Sequence, residues 1–432
     1  MNNDTLLKDI FSQPGGGDKN NLIIKKGRRE RRPYNLIDAI RKIDRLDQYY
    51  IPTLTNASYA NELGQIRALG EMGLKTVAMD HNRRSICFHS RYSVPVLAPD
   101  YLNDFGNYMK FLLDLGSAVR ETGRIPLLSV VDAETLLDLF KNYDEEIKNV
   151  YKLGADLDLQ RDISDKYKQY LIAEDLGIPT PETWILNDYL FANRPGIRFP
   201  AMVKPRKGRE FYRQFKKQAV EVKSWSEIAD LYASSRRIAP LLLQERVRGP
   251  EERNFYNCGV YCAKQRKPAA VFTGRRIRST RANGSTALAQ SYDMPEIRSH
   301  SLEFLDHIHY HGPCEMEYKT DQRDGKIKFL ELNPRLWKWH SLATHCGVNL
   351  TYHHYLDAAG LELPLEMPRQ LYGPKWWLMW MDLWNSMSRI KNGEFRLSEY
   401  LDTLTLNFVN GIDEFNDPLP GIINFFSLKW IT

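Results

Sequence analysis

The chain has 432 residues, enough for two or three domains sharing a sizeable core. Hydrophobic residues make up 43% and charged residues 26%, a globular balance that excludes general disorder. Sixty Lys and Arg against 54 Asp and Glu leave a formal charge of +6, too small to indicate nucleic acid as the main partner, although a local basic cleft suffices for a small polyanion.

The N-terminus, MNNDTLLKDIFSQPGGGDKN, is polar and broken by glycines, so no signal peptide is expected. Residues 1–46 read as a basic surface extension containing KKGRRERRPY; contact with an anionic partner or membrane surface is the sharper alternative. From 47 to 150 the pattern is β–α–β. YYIPTL and KTVAMD read as strands around the helix ASYANELGQIRALGEMG, followed by a helix over about 102–123, a strand PLLSVV and a helix from near Asp132. Such alternation predicts a parallel sheet covered by helices, with ligands at the carboxyl ends of its strands.

A helix is expected over 162–178, DISDKYKQYLIAEDLGI, followed by the turn PTPET. Strands then dominate: PAMVKP, QAVEV, PLLLQERV, NFYNCGVYC, PAAVFTGRRIR, STALAQSY, GPCEMEYKT and IKFLELN, with helices near 224–235 and 295–310. A helical tail is expected from about 338. The run WWLMWMDLW is too short to span a bilayer, carries Asp382 and reads as core. Cys87, Cys258, Cys262, Cys314 and Cys346 lack zinc-site spacing and read as reduced packing residues of a cytoplasmic protein.

The chemistry concentrates in KIKFLELNPRLWKWH, residues 326–340. Alternate strand residues share a face, so Glu331 and Asn333 project together, a hard-oxygen pair suited to Mg²⁺. The preceding strand offers Glu315 and Glu317 on one face, and the short turn DQRDG brings Glu317 near Glu331. Arg335 supplies a planar cation for phosphate or carboxylate. Upstream, Lys204 ends an apolar strand and leads into the basic segment RKGREFYRQFKKQ, while Gln244-Glu245 end another strand before the acids Glu251 and Glu252.

In their order DKYKQYLIAEDLGIPTPET, FPAMVKP, LLLQERVRGPEE, GPCEMEYKTD, FLELNPR and LATHCGVNL, these segments resemble the ATP-grasp superfamily of ATP-dependent carboxylate–amine ligases. IRALGEMGLKTVAMD and SRYS resemble the N-terminal domain of the group containing D-aspartate ligases and carbamoyl-phosphate-synthase-like proteins. The resemblance implies a mixed α/β and α+β chain: a parallel-sheet domain at 47–150, a two-lobed ATP-grasp domain at 151–360 and a helical segment at 361–432 packed on it.

It also implies roles. Lys166 and Lys204 contact ATP phosphates; Gln244, Glu245, Arg246 and Val247 form the adenine hinge; Glu251 or Glu252 holds the ribose. Glu317, Glu331 and Asn333 bind Mg²⁺ or Mn²⁺, Arg335 steadies the phosphoryl group or acceptor carboxylate, and Arg278 is a second catalytic cation. The single glycine of RKGREFYRQFKK leaves open whether backbone amides or Arg206, Lys207 and Lys217 cover the γ-phosphate. Ser90 and Arg91 are candidates for a substrate carboxylate, against a surface turn, and Trp337 and His340 for a wall of the acceptor site, against packing of the next helix on the sheet.

The activity so implied joins a carboxylate to an amine through an acyl phosphate, with small-molecule substrates and a homodimeric chain. An acyl- or carbamoyl-phosphate-forming enzyme and a non-catalytic ATP-binding regulatory module are the alternatives. His307, His309 and His311 straddle a helix-to-strand boundary and are not expected to form a zinc site.

Overall fold

A computed structural model describes residues 35–130, 140–207, 210–235, 240–250, 252–280, 284–394, 396–404 and 407–426. The β–α–β pattern becomes a five-stranded parallel sheet, ordered β3-β2-β1-β4-β5, from β1 Tyr50–Leu54, β2 Thr76–Asp80, β3 Ser93–Leu97, β4 Ile125–Ser129 and β5 Lys152–Leu153. Strand β3 is not evident in the sequence because Pro95 interrupts it. At the sheet edge a residue without an N–H is tolerated. The helix Leu36–Ile43 buries Ala39, Ile40 and Ile43 in this domain's core, so the fold begins inside the expected surface extension. The helix expected near Asp132 begins outside the described residues.

The helix expected over 162–178 is two helices, Leu157–Ile163 and Lys166–Asp175. Each starts at an aspartate whose carboxylate accepts a backbone N–H: Asp156 from Leu159 at 3.0 Å and Asp165 from Tyr167 at 3.1 Å. The second start sets Lys166 in the first turn of its helix.

A small antiparallel sheet follows, ordered β6-β9-β7-β8, from β6 Thr183–Leu186, β7 Ala201–Pro205, β8 Val220–Val222 and β9 Leu241–Glu245. Its own apolar core gathers Leu186, Ala201, Val203, Leu243 and Ile228, the last from the helix Trp225–Ser234. The larger lobe is a seven-stranded sheet, ordered β14-β13-β10-β11-β12-β15-β16. Its members are β10 Phe255–Cys262, β11 Pro268–Ser279, β12 Thr286–Ser291, β13 Gly312–Thr320, β14 Ile327–Asn333, β15 Lys375–Trp377 and β16 Phe408–Asn410. All its pairings are antiparallel except β15 with β16.

The last two strands correct the expectation of a purely helical tail. The helices Met379–Lys391, Leu397–Asp402 and Leu419–Phe426 are present as well. The tryptophan run divides accordingly: Trp376 on β15 is fully buried, whereas Trp384 on the following helix is 61% exposed.

One face of the large sheet packs Cys258, Val260, Met316, Tyr318 and Phe329 in a core shared with the helices Lys166–Asp175 and Pro295–His307. The other packs Phe272, Trp337, Trp339 and Leu342 against Leu63 and Ile66 of the helix Ala60–Gly70. The N-terminal domain and the larger lobe therefore share one core. All five cysteines are buried and free, and among the described residues no helix is long and apolar enough to cross a membrane.

Candidate active site

Strands β13 and β14 pair so that Glu317 lies directly opposite Glu331, and Glu315 opposite Asn333. Cross-strand partners share a sheet face, so these four side chains converge. Asn333 Nδ2 lies 3.3 Å from Glu331 Oε1, 3.4 Å from Glu315 Oε2 and 3.5 Å from Glu317 Oε1. On the neighbouring strand, Asn257 sits opposite Glu317 and donates its amide to Glu315.

Lys166 brings its Nζ to 2.7 Å from Glu331 Oε2. Lys204, from β7 of the small lobe, lies 4.9 Å over the Tyr170 ring and donates to its hydroxyl, which in turn donates to the Leu330 carbonyl. Two lysines from different elements thus meet the end of β14.

Electrostatics divides the carboxylates. Burial, and then the Glu317 charge, push Glu315 well above the ordinary carboxylate range. Burial and Glu331 raise Glu317 to about 7, against the pull of Arg276, Arg335 and Lys166. Burial also acts to raise Glu331, but Lys166 and Lys204 outweigh it and hold that group at about 2. A divalent cation would relieve the crowding that otherwise favours protonation.

The donors fit such an ion in part. Glu315 is sealed at 3% exposure and takes the Asn257 amide, leaving Glu317, Glu331 and Asn333 as hard-oxygen donors. Among the described residues no group of three His, Cys, Asp or Glu side chains could hold a metal. Remaining ligands would therefore come from phosphate oxygens and water, the usual habit of Mg²⁺.

Residues 273–366, which contain the whole hairpin, match the family described as the ATP-binding domain of the carbamoyl-phosphate synthase large chain. The fold agrees. N5-carboxyaminoimidazole ribonucleotide synthetase in an ADP complex superposes with a TM-score of 0.57 at 14% identity, over 76% of this chain and 80% of that one. The chain shares the fold of that synthetase.

Two further solved structures carry the same fold. Biotin carboxylase from Campylobacter jejuni has a TM-score of 0.56 at 14% identity, over 73% of this chain and 72% of its own. L-Amino acid ligase from Bacillus licheniformis has a TM-score of 0.52 at 14% identity, over 75% of each chain. The carbamoyl phosphate synthase large chain of Methanosphaerula palustris is 25% identical over 230 residues, 50% of this chain. The match spans only 21% of that relative's length. The family description names ATP, and the synthetase structure holds ADP, as ligands of those proteins.

Several residues expected at this site have other work. The register of β11 on β12 shifts between Arg276 and Arg278, and their guanidiniums part. Arg278 is 1% exposed and locked to Asp382 through Nε at 2.8 Å and Nη2 at 2.6 Å, so it is not the second cation. Arg276 is the residue whose charge acts on Glu317.

Ser90 and Arg91 face the C-terminal segment, where the Arg91 guanidinium donates to the Asn416 carbonyl at 3.2 Å. The Ser90 hydroxyl and the Arg91 backbone N–H both donate to Asp417, at 2.8 Å each, and so hold the C-terminal segment. Trp337 is core, stacked on Phe272 over Gly259. His340 is 2% exposed with both ring nitrogens unpartnered, packed against Gly64, and burial lowers it to about 3.

At the hinge, the Glu245 carboxylate is taken by Lys328 at 2.6 Å and Arg323 at 2.9 Å, and its backbone N–H by Glu182. It ties β9 to the β13–β14 turn. Gln244 donates to Thr183, Arg246 pairs with Glu221 at 3.0 Å, Val247 is buried, and Glu252 pairs with Arg389. Glu251 lies outside the described residues. Of the basic phosphate-loop candidates, Arg206 is held by Asp165 and Lys207 donates to the Arg161 carbonyl at 3.3 Å. Lys217 is exposed. Asn257 and Arg276 were given no role from the sequence, and Asp165 opens the segment DKYKQYLIAEDLGIPTPET without one; pairing in space identifies all three.

Proposed function

We propose that this chain is an ATP-grasp carboxylate–amine ligase using ATP and Mg²⁺. The observation that carries the reading is the direct pairing of Glu317 with Glu331, with Asn333 between them and Lys166 on Glu331.

A carboxylate is a poor electrophile because its leaving group would be oxide. The γ-phosphoryl of ATP passes to a carboxylate oxygen, the bond to the ADP oxygen breaks, and the acyl phosphate that forms has phosphate as its leaving group. Lys166 and Lys204 place positive charge where phosphoryl oxygens gather, and Arg335 steadies the acceptor carboxylate. Glu317, Glu331 and Asn333 would hold Mg²⁺, which supplies charge neutralisation on the transferring oxygens. A deprotonated amine then attacks the acyl carbon and expels phosphate. The shared core behind Trp337 and Trp339 keeps water from the sheet face beyond the carboxylates.

The test is ADP release from Mg-ATP over a panel of carboxylates paired with amines, with product analysis. An amide formed in step with ADP supports the ligase. A free phosphorylated product would move the chain to a phosphate-forming reaction, and ATP binding without turnover to a regulatory module.

A further inference from the structure

Strand β14 carries the donors Glu331 and Asn333, yet it is the outermost strand of the seven-stranded sheet. Among the described residues one of its edges therefore has no strand to pair with. Its inner edge carries a repulsion, because Glu331 faces Glu317 and like charges directly opposite weaken a ladder. The register also slips at this point. Glu331 pairs with Glu317 but Phe329 with Tyr318, so Leu330 is an extra residue in β14. A bulge of this kind re-aims the side chains beside it.

The outer edge shows what holds the bulge in place. Leu332, the residue between the two donors, gives its N–H to Gln169 Oε1 at 2.8 Å and takes Gln169 Nε2 on its carbonyl at 2.9 Å. The glutamine amide thus pairs with Leu332 as a neighbouring strand would. Nε2 also donates to the Ile163 carbonyl at 2.7 Å, at the end of the preceding helix. The amide oxygen and both its hydrogens are engaged, which fixes its orientation, and the side chain is 1% exposed.

The flanking backbone is met from the same stretch of chain. The Tyr170 hydroxyl donates to the carbonyl of the bulged Leu330, and the Phe329 N–H donates to the Pro179 carbonyl at 2.7 Å. Lys166, Gln169 and Tyr170 stand three and four apart on one face of the helix Lys166–Asp175, and they meet Glu331, Leu332 and Leu330.

Leu332 joins the two donors covalently, so a shift of its backbone moves both. Mg²⁺ demands near-octahedral geometry and punishes small displacements that the larger, more flexible Ca²⁺ shell tolerates. We propose that Gln169 is a positioning residue for the metal donors: its amide clamps the bulged edge of β14 at Leu332 and keeps Glu331 and Asn333 at the spacing Mg²⁺ requires. This rests on the reading of the hairpin as a metal–nucleotide site.

The experiment compares the full-length wild type with Gln169→Met, which keeps the length and removes the amide, and Gln169→Glu, which keeps an acceptor for the Leu332 N–H. Hydrogen exchange of the metal-free proteins reads the peptide containing Leu332. Calorimetric titration of a non-hydrolysable ATP analogue at stepped Mg²⁺, and separately at stepped Ca²⁺, reads the metal requirement, with thermal melting as the check on folding. Gln169→Met should exchange faster at Leu332 and need about tenfold more Mg²⁺ for half-maximal binding. Its Ca²⁺ requirement should change less than about twofold. Gln169→Glu should show a smaller rise in the Mg²⁺ requirement, and it decides the matter if Gln169→Met does not fold.

Exchange at Leu332 as slow as in wild type, or an unchanged Mg²⁺ requirement in a folded variant, overturns the positioning role. Mg²⁺ and Ca²⁺ requirements that rise together mark a general loosening and also overturn it. In each of these cases wild type still needs Mg²⁺, so the ligase reading stands. A wild type whose binding of the analogue ignores Mg²⁺ removes the metal site and this role with it.

Discussion

Asp165 both caps the helix that begins at Lys166 and receives Arg206 Nε, at 2.8 and 2.9 Å from its two oxygens. The small lobe thereby sets the helix start from which Lys166 reaches Glu331. The Arg206 guanidinium and the backbone N–H groups of Tyr167 and Lys168 overcome partial burial and hold Asp165 below the usual carboxylate range.

Asp165→Ala removes both the cap and the charge. Loss of a helix cap and of the ion pair should cost about 1–2 kcal/mol of stability. It should also weaken binding of an ATP analogue, because Lys166 loses its fixed origin. Denaturant unfolding and calorimetric titration measure the two effects separately. Unchanged nucleotide affinity would detach Lys166 from the phosphates.

Gly259 sits against Trp337 with no room for a methyl group. Gly259→Ala forces the indole or β10 to move, and overpacking of this kind costs about 1–3 kcal/mol. Denaturant midpoints should fall with the slope unchanged, and the aromatic near-ultraviolet dichroism should change because the stack on Phe272 is disturbed.

The hairpin pairing was legible because a period of two puts Glu315 with Glu317 and Glu331 with Asn333 on one face whatever the rest of the fold does. Lys204 was legible as the end of a strand, whereas Lys166 came only from the resemblance, inside an expected helix that is in fact two. What escaped depends on long-range partners. Arg278 looks as good as Arg276 until β11 shifts its register, and Ser90 looks available until Asp417, more than 300 residues away, arrives on it. Glu245 has the position of a hinge residue, but its carboxylate is claimed by Lys328 and Arg323 of the distant hairpin.

Buried imidazoles predict acid lability. Burial holds His354 at about 4, with His311 also lowering it, and holds His340 at about 3. Both are neutral in the folded chain, while in the unfolded chain they protonate near pH 6.5. The unfolded state then binds more protons, so stability is complete above about pH 6.5 and falls as pH drops toward 4 and 3, by about 1.4 kcal/mol per histidine per pH unit. His340→Leu should flatten this dependence and, since neither ring nitrogen has a partner, should cost little at pH 7. Its turnover should match wild type, because the ring is packing rather than acceptor wall.

Arg278 and Asp382 form a buried pair at 1% and 0% side-chain exposure. Asp382→Asn leaves the guanidinium uncompensated beneath the helix Met379–Lys391 and should destabilise the chain by about 3–5 kcal/mol. The double substitution Arg278→Met with Asp382→Leu should recover most of that loss. A double-mutant cycle on unfolding free energy reads both values.

The central claim is that Glu331, paired with Glu317 and held by Lys166, forms part of a metal–nucleotide site. Calorimetric titration of Mg²⁺ with a non-hydrolysable ATP analogue into wild type and Glu331→Gln tests it most directly. Mg²⁺-dependent binding to wild type is expected, with at least tenfold weaker, Mg²⁺-independent binding to Glu331→Gln and folding intact. Equal affinity and equal Mg²⁺ dependence in the two proteins would contradict it.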